Sequence, residues 1–111
     1  MSVVRQEDAP RKALAPDRAL YQAHTESLMM AVVDFNDGPY EQPDPPHHHP
    51  HEQVSYVASG EIIFVLDGTP HRMEPGDMIS VPSNVPHSIQ LLSASARLID
   101  CFTPLRDEFV R

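Results

Sequence analysis

A single all-β barrel of the jelly-roll kind is predicted by three features of the chain. Short apolar runs recur along its whole length, and each closes on a turn signal. Twelve prolines against four glycines leave no uninterrupted window of about 12 residues for a stable helix, which excludes a helical bundle. A length of 111 residues allows one domain and no second core.

Residues 1–17 read as an N-terminal arm, polar and broken by Pro10 and Pro16, and residues 18–111 as the barrel domain. Segment 18–24 fits a helical turn capped by Asp17 or a first strand, and the strand is preferred. Residues 28–35 form an apolar strand ending at Asn36-Asp37-Gly38-Pro39. Pro43, Pro45, Pro46 and Pro50 force a loop or sheet edge, because proline cannot donate to a ladder. Residues 53–59 make the next strand, closed by Gly60. Segments 62–66 and 69–73 form a hairpin about Asp67-Gly68, a favoured turn dipeptide. Glu74-Pro75-Gly76-Asp77 turns into a strand at 78–81, and Pro82 to Pro86 turn again. Strands at 87–92 and 96–103 complete the barrel, and residues 105–110 form a short C-terminal helical turn.

Composition narrows the function. Hydrophobic residues at 41% and charged residues at 22% lie in the globular range. A net charge of -8 offers no cationic surplus for phosphates, so nucleic acid is excluded as the main partner. Cys101 is the single cysteine, so no internal disulfide forms and a reducing compartment fits. Residues 1–10 carry Arg5, Glu7 and Asp8 without an apolar run, unlike a signal peptide. No stretch approaches the ~18 apolar residues of a membrane span. The expectation is a soluble cytoplasmic protein with no membrane partner.

Four histidines, His47, His48, His49 and His51, fall together, and His87 opens a later strand. Side chains alternate faces along extended chain, so His47, His49 and Gln53 share one side while His48 points to the other. Pro50 weakens the alternation, which leaves His51 free to face either way. A barrel brings strand ends together, and His87 then arrives at the same place. Three neutral imidazoles and an amide oxygen suit Mn, Fe, Co, Ni or Zn. From composition alone, a solvated histidine loop with a hydrogen-bonded His87 fits as well.

The spacing resembles the cupin superfamily, whose first motif runs His, one residue, His, three or four residues, Glu, six residues, Gly. His47, His49, Gln53 and Gly60 occupy those positions here, with Gln in place of Glu. Pro75-Gly76-Asp77, Pro82 and Pro86-His87 resemble the second motif in its compact form. The resemblance implies a cupin barrel, a double-stranded β-helix, with His47, His49, Gln53 and His87 as ligands of one divalent first-row metal. Two departures concern the pocket: the loop from Gly38 to His47 is longer than usual, and Gln90 and Leu91 stand where an Asn normally follows the second-motif His. An amide at position 53 leaves the metal's charge unneutralised, which favours an anionic or polyhydroxylated ligand and Lewis-acid chemistry.

Asp100 and Phe102 share a parity on the last strand, and an acid in that apolar run is costly to bury without a partner. Arg106 follows Pro104 and is placed to reach back over the barrel opening. An ion pair of Asp100 with Arg106, pinning the tail, is the simplest reading of the pattern. Together with the first motif, the ending Asp100-Cys101-Phe102-Thr103-Pro104-Leu105-Arg106 resembles the pectin-degradation cupins. That resemblance implies conversion of 4,5-unsaturated uronates to linear 5-keto-4-deoxyuronate, with Asp100 moving a proton, Arg106 holding the substrate carboxylate and Phe102 shaping the pocket. A three-histidine iron dioxygenase and a non-catalytic cupin that binds metal and sugar acid are the alternatives.

Other residues receive plainer roles. Cys101 faces outward by parity, His24 and His71 lie on the surface, and Met29, Met30, Met73 and Met78 serve as core filler. His51 and Glu52 stand behind the ligands, with His51 able to supplement one, and Tyr56 is placed to line the pocket. Small cupins pair edge strands or exchange N-terminal strands, so the resemblance implies a homodimer in which residues 2–17 take part.

Overall fold

A computed structural model describes residues 2–110. The chain runs β1 (Lys12–Ala15), β2 (Arg18–His24), β3 (Met29–Phe35), β4 (Glu52–Ser59), β5 (Ile62–Leu66), β6 (Thr69–Met73), β7 (Met78–Val81), β8 (His87–Leu91), β9 (Ala96–Thr103) and α1 (Asp107–Val110). A 3-10 turn at Gln6–Asp8 precedes them. The ambiguous segment 18–24 is therefore a strand: its residues pair one for one with β3, from Arg18↔Phe35 to His24↔Met29. Strand β1 lies within the segment read as an arm. Pro16-Asp17 reverses the chain there, and Lys12 and Ala13 pair with Leu20 and Ala19.

Six strands form one sheet in the order β1-β2-β3-β9-β4-β7, and three form a second, β6-β5-β8, with every pairing antiparallel. The two sheets enclose one core that includes Leu20, Met29, Val57, Ile62, Phe64, Leu91, Leu98 and Phe102. Each such side chain contributes about 1.5–3 kcal/mol on leaving water. The inner face of the larger sheet is built in rows across β3, β9 and β4. Val33, Leu98 and Val57 make an apolar row; Ala31, Asp100 and Ser55 make the next; Met29, Phe102 and Gln53 make the one beyond. Asp100 thus follows an apolar row and stands beside the row that holds Gln53.

Gly60 ends β4 at φ 81°, and a Cβ there would lie 2.3 Å from the Ser95 carbonyl oxygen. Backbone meets backbone at that corner, so a side chain cannot be accommodated, which is the physical content of the motif glycine.

Parity corrects three sequence expectations. Met29 and Met73 are buried, but Met30 and Met78 are exposed, Met78 at 77%. Met30 pairs with Cys101 and Met78 with Tyr56, a register that turns all four to the outer face of the sheet. Tyr56 is exposed there and does not line the interior. Among the described residues, no helix is long and apolar enough to cross a membrane.

Candidate metal centre

The loop between β3 and β4 lies along β8 and ends in a bridge where His47 and His87 exchange both backbone hydrogen bonds, at 3.0 and 2.9 Å. That bridge places the His47 and His87 rings 4.2 Å apart, centroid to centroid. His49 enters from the same loop, its ring 4.9 Å from that of His87. One ligand atom from each of the three lies within 4.8 Å of the other two, so these histidines can hold a metal ion.

The hydrogen bonds around the rings determine which nitrogens face inward. His49 donates Nδ1–H to the His51 carbonyl at 3.0 Å, and His87 donates Nδ1–H to the Val85 carbonyl at 2.9 Å. A neutral ring whose Nδ1 carries the proton presents a bare lone pair at Nε2. For His87 that Nε2 is buried with no partner. For His49 it stands 3.1 Å from Gln53 Oε1, an acceptor facing an acceptor. Gln53 is held in that orientation by donating Nε2–H to Ser55 Oγ at 2.9 Å. Converging lone pairs of this kind repel one another unless a cation lies between them, so the donor set fits a divalent ion.

Electrostatics keep the imidazoles neutral, the form that ligates. Part of His47 remains exposed, but its ring is packed against His87. Loss of hydration, followed by the charges of His87 and Arg106, lowers its pKa to about 4. Burial likewise lowers His49 and His87 against their carbonyl hydrogen bonds, and the Arg106 charge adds to both.

Asp100 is 9% exposed, and its Oδ1 is buried without a hydrogen-bond partner. Burial pushes its pKa up to about 6, against the Ser55 hydroxyl and the Arg106 charge. The expected ion pair with Arg106 is replaced by a local one. Arg106 donates from Nε and Nη2 to Glu108 Oε1, at 2.9 and 2.6 Å. Its guanidinium lies over the rings of Phe102 and Phe109, at 5.2 and 4.2 Å. The tail is held further by the His51 imidazole, which donates Nε2–H to the Leu105 carbonyl at 3.1 Å, and by Lys12 bonded to the Glu108 carbonyl.

All seven residues singled out from sequence therefore meet at one end of the barrel. Ser55, Glu108 and Phe109 were missed. Ser55 follows Gln53 at the same parity and was legible in principle. Glu108 and Phe109 lie two and three residues beyond Arg106, but that they take its guanidinium in place of Asp100 is not written in the spacing.

The cupin-domain family model matches residues 33–102. The chain belongs to the cupin family. Within it, this is a small cupin resembling KdgF: it is 33% identical over 87 residues to the pectin degradation protein KdgF of Dickeya dadantii, covering 78% of this chain and 76% of that one. The solved structure of KdgF from a Halomonas species matches with a TM-score of 0.87 at 30% identity, covering 97% of both chains. A stretch of 50 residues, 40% of this chain, is 44% identical to 29% of the acireductone dioxygenase of Bacillus cytotoxicus.

Proposed function

We propose that this protein is a metal-dependent enzyme that converts 4,5-unsaturated uronates, from pectin or alginate breakdown, to linear 5-keto-4-deoxyuronate. The observation that carries the reading is the buried Asp100 carboxyl. It is unpaired at Oδ1 and one row from Gln53, in a site where a single guanidinium charge acts on it and on the three histidines. The similarity to KdgF, named for pectin degradation, supports the substrate class.

His47, His49, His87 and the Gln53 amide would hold one divalent first-row ion, Mn, Fe, Co, Ni or Zn. When bound, the ion supplies Lewis acidity toward the sugar's hydroxyl oxygens. Gln53 brings no negative charge, so the site retains a full double positive charge and favours an anionic sugar acid. Arg106 holds the substrate carboxylate, for which its planar fork is suited, in place of the Glu108 carboxylate. Phe102 packs against the sugar ring from the same inward row as Gln53.

Asp100 moves the proton. It takes the proton of the anomeric hydroxyl as the bond between C1 and the ring oxygen breaks, leaving an aldehyde at C1 and an enolate at C5. It then returns that proton to C4, and C5 becomes the ketone. No atom or electron is gained, so the reaction is an isomerisation. A pKa raised to about 6 suits a group that must both accept and return a proton near neutrality.

The test follows the loss of conjugated-alkene absorbance of an unsaturated uronate monomer with metal-loaded protein, against the spontaneous rate. Acceleration that disappears in Asp100→Asn, with metal content unchanged, is the expected result. Loss of metal along with activity makes Asp100 structural, and no acceleration with any first-row divalent metal removes the assignment. A three-histidine iron dioxygenase is the second reading, favoured by the match to acireductone dioxygenase, and iron-dependent oxygen uptake with a thiol or diketone substrate identifies it. Tight sugar-acid binding without product identifies a binding protein.

In this reading residues 18–111 carry the site in the cytoplasm, and residues 1–17 accompany them as the arm. A homodimer is supported by the exposed apolar side chains of Met30, Val54, Tyr56 and Met78 on the outer sheet face.

A further inference from the structure

His47 differs from the other two histidines in how it is held. The His49 and His87 rings each donate Nδ1–H to a backbone carbonyl, whereas no hydrogen bond among the described residues holds the His47 ring. Its position is therefore set by its backbone, and that backbone belongs to a proline-rich loop. Pro39, Pro43, Pro45 and Pro46 have no N–H to give. Across residues 39–47 the backbone donates to β8 from Tyr40, Asp44 and His47, to Leu91, Ile89 and His87 at 2.8, 3.1 and 3.0 Å.

Arg18, the first residue of β2, lies in the opposite sheet and grips this loop. Its Nη1 reaches Asp44 Oδ2 at 2.7 Å and its Nη2 reaches Asp44 Oδ1 at 3.4 Å. The neighbouring Asp17 holds Nε at 3.0 Å, and the guanidinium lies over the rings of Phe35 and Tyr40, at 4.9 and 5.8 Å. With its side chain only 20% exposed, the group is packed, oriented and charge-balanced, unlike a solvated surface pair.

We propose that Arg18 is a positioning residue for His47, acting through Asp44 and the stiff Pro45-Pro46 spacer. The inference rests on His47 being a metal ligand. Each proline restricts its own φ and confines the residue before it to extended conformations, so Asp44 and Pro45 are both constrained. The three steps from Asp44 to His47 then behave as a rod of about 9 Å, at ~3.1 Å per residue. Fixing Asp44 against β2 restrains the approach of His47 to its backbone bridge with His87, and so couples the larger sheet to a ligand carried along the edge of the smaller one. Without the clamp, the loop keeps its three backbone hydrogen bonds to β8 but loses its side-chain tie to β2, and His47 samples positions off the lone-pair focus.

The test uses full-length protein and Co(II), with affinity read by competition against a chromophoric chelator and geometry read from the visible spectrum. Arg18→Met and Asp44→Asn should each weaken Co(II) binding by about 10-fold or more, the size usual for residues that orient a ligand. Both should alter the visible spectrum. In a His47→Ala background Arg18→Met should have no further effect, because its influence passes through the missing ring. Asp44→Asn leaves the Asp17–Arg18 contact in place and serves if Arg18→Met fails to fold. An effect of Arg18→Met that is equal with and without His47, or lower urea stability with unchanged Co(II) affinity, overturns the proposal. Unchanged Co(II) affinity in His47→Ala alone overturns instead the ligand assignment beneath it.

Discussion

Replacing Asp100 with Asn tests whether the buried acid is a strained functional group or a satisfied structural one. In the folded protein its pKa is raised from 3.8 to about 6, and burial is the main cause. A raised carboxyl stabilises the fold while protonated, so the contribution is complete below about pH 4 and is lost as pH rises through about 6. A separation of about two units corresponds to ~3 kcal/mol. In metal-free protein, Asp100→Asn and wild type should therefore unfold at similar urea concentrations at pH 4. At pH 8 the variant should be the more stable by about 3 kcal/mol, a midpoint difference of roughly 1–3 M for ordinary m-values. The histidines titrate in both proteins, so the difference between them isolates Asp100. A variant that is equally or more destabilised at pH 8 than at pH 4 would show that the carboxylate has partners, and the proton-transfer role would lose its physical basis. Loading a divalent metal should shrink the gap, because a nearby cation favours the ionised carboxyl.

Other expectations follow from the same geometry. Arg106→Met should raise KM for an anionic substrate by about 10–100-fold, the worth of a charged hydrogen-bonded contact of ~1.5–3 kcal/mol, while Glu108→Gln should lower KM by releasing Arg106; steady-state kinetics read both. Gln53→Glu places a carboxylate opposite His49 Nε2 and should tighten divalent-metal binding while weakening anionic ligands, as measured by metal competition and substrate-analogue titration. His87→Ala should lose metal and activity yet keep its circular dichroism, since the strand ladder of β8 is made by backbone. Charging the outer face with Val54→Lys and Met78→Lys should convert a dimer to monomer in sedimentation, with activity per chain unchanged.

Local chemistry determined much of this protein from sequence alone. Proline and glycine end the strands at fixed places, so the hairpin at Asp67-Gly68 and the strands at Ile62–Leu66, Met78–Val81 and Ala96–Thr103 were legible to the residue. Period-two alternation likewise turned Asp100 and Phe102 inward and Cys101 outward, because side-chain direction in a strand is a local property. The resemblance to the cupin motifs joined His47, His49, Gln53 and His87, which alternation alone left open to a solvated histidine loop. Alternation does not say which face is covered, and so Met30 and Met78 read as core and Tyr56 as a candidate for the pocket, although the pairing register places all three outside. Only tertiary structure decided which carboxylate Arg106 takes. The tail folds back at Pro104, sets Glu108 against the guanidinium and leaves Asp100 Oδ1 bare. The clamp from Arg18 to Asp44 is of longer range: it joins residues 26 apart in sequence, β2 of the larger sheet to the loop that runs along β8. Contacts of that range depend on how the barrel closes, and no local pattern in the chain encodes it.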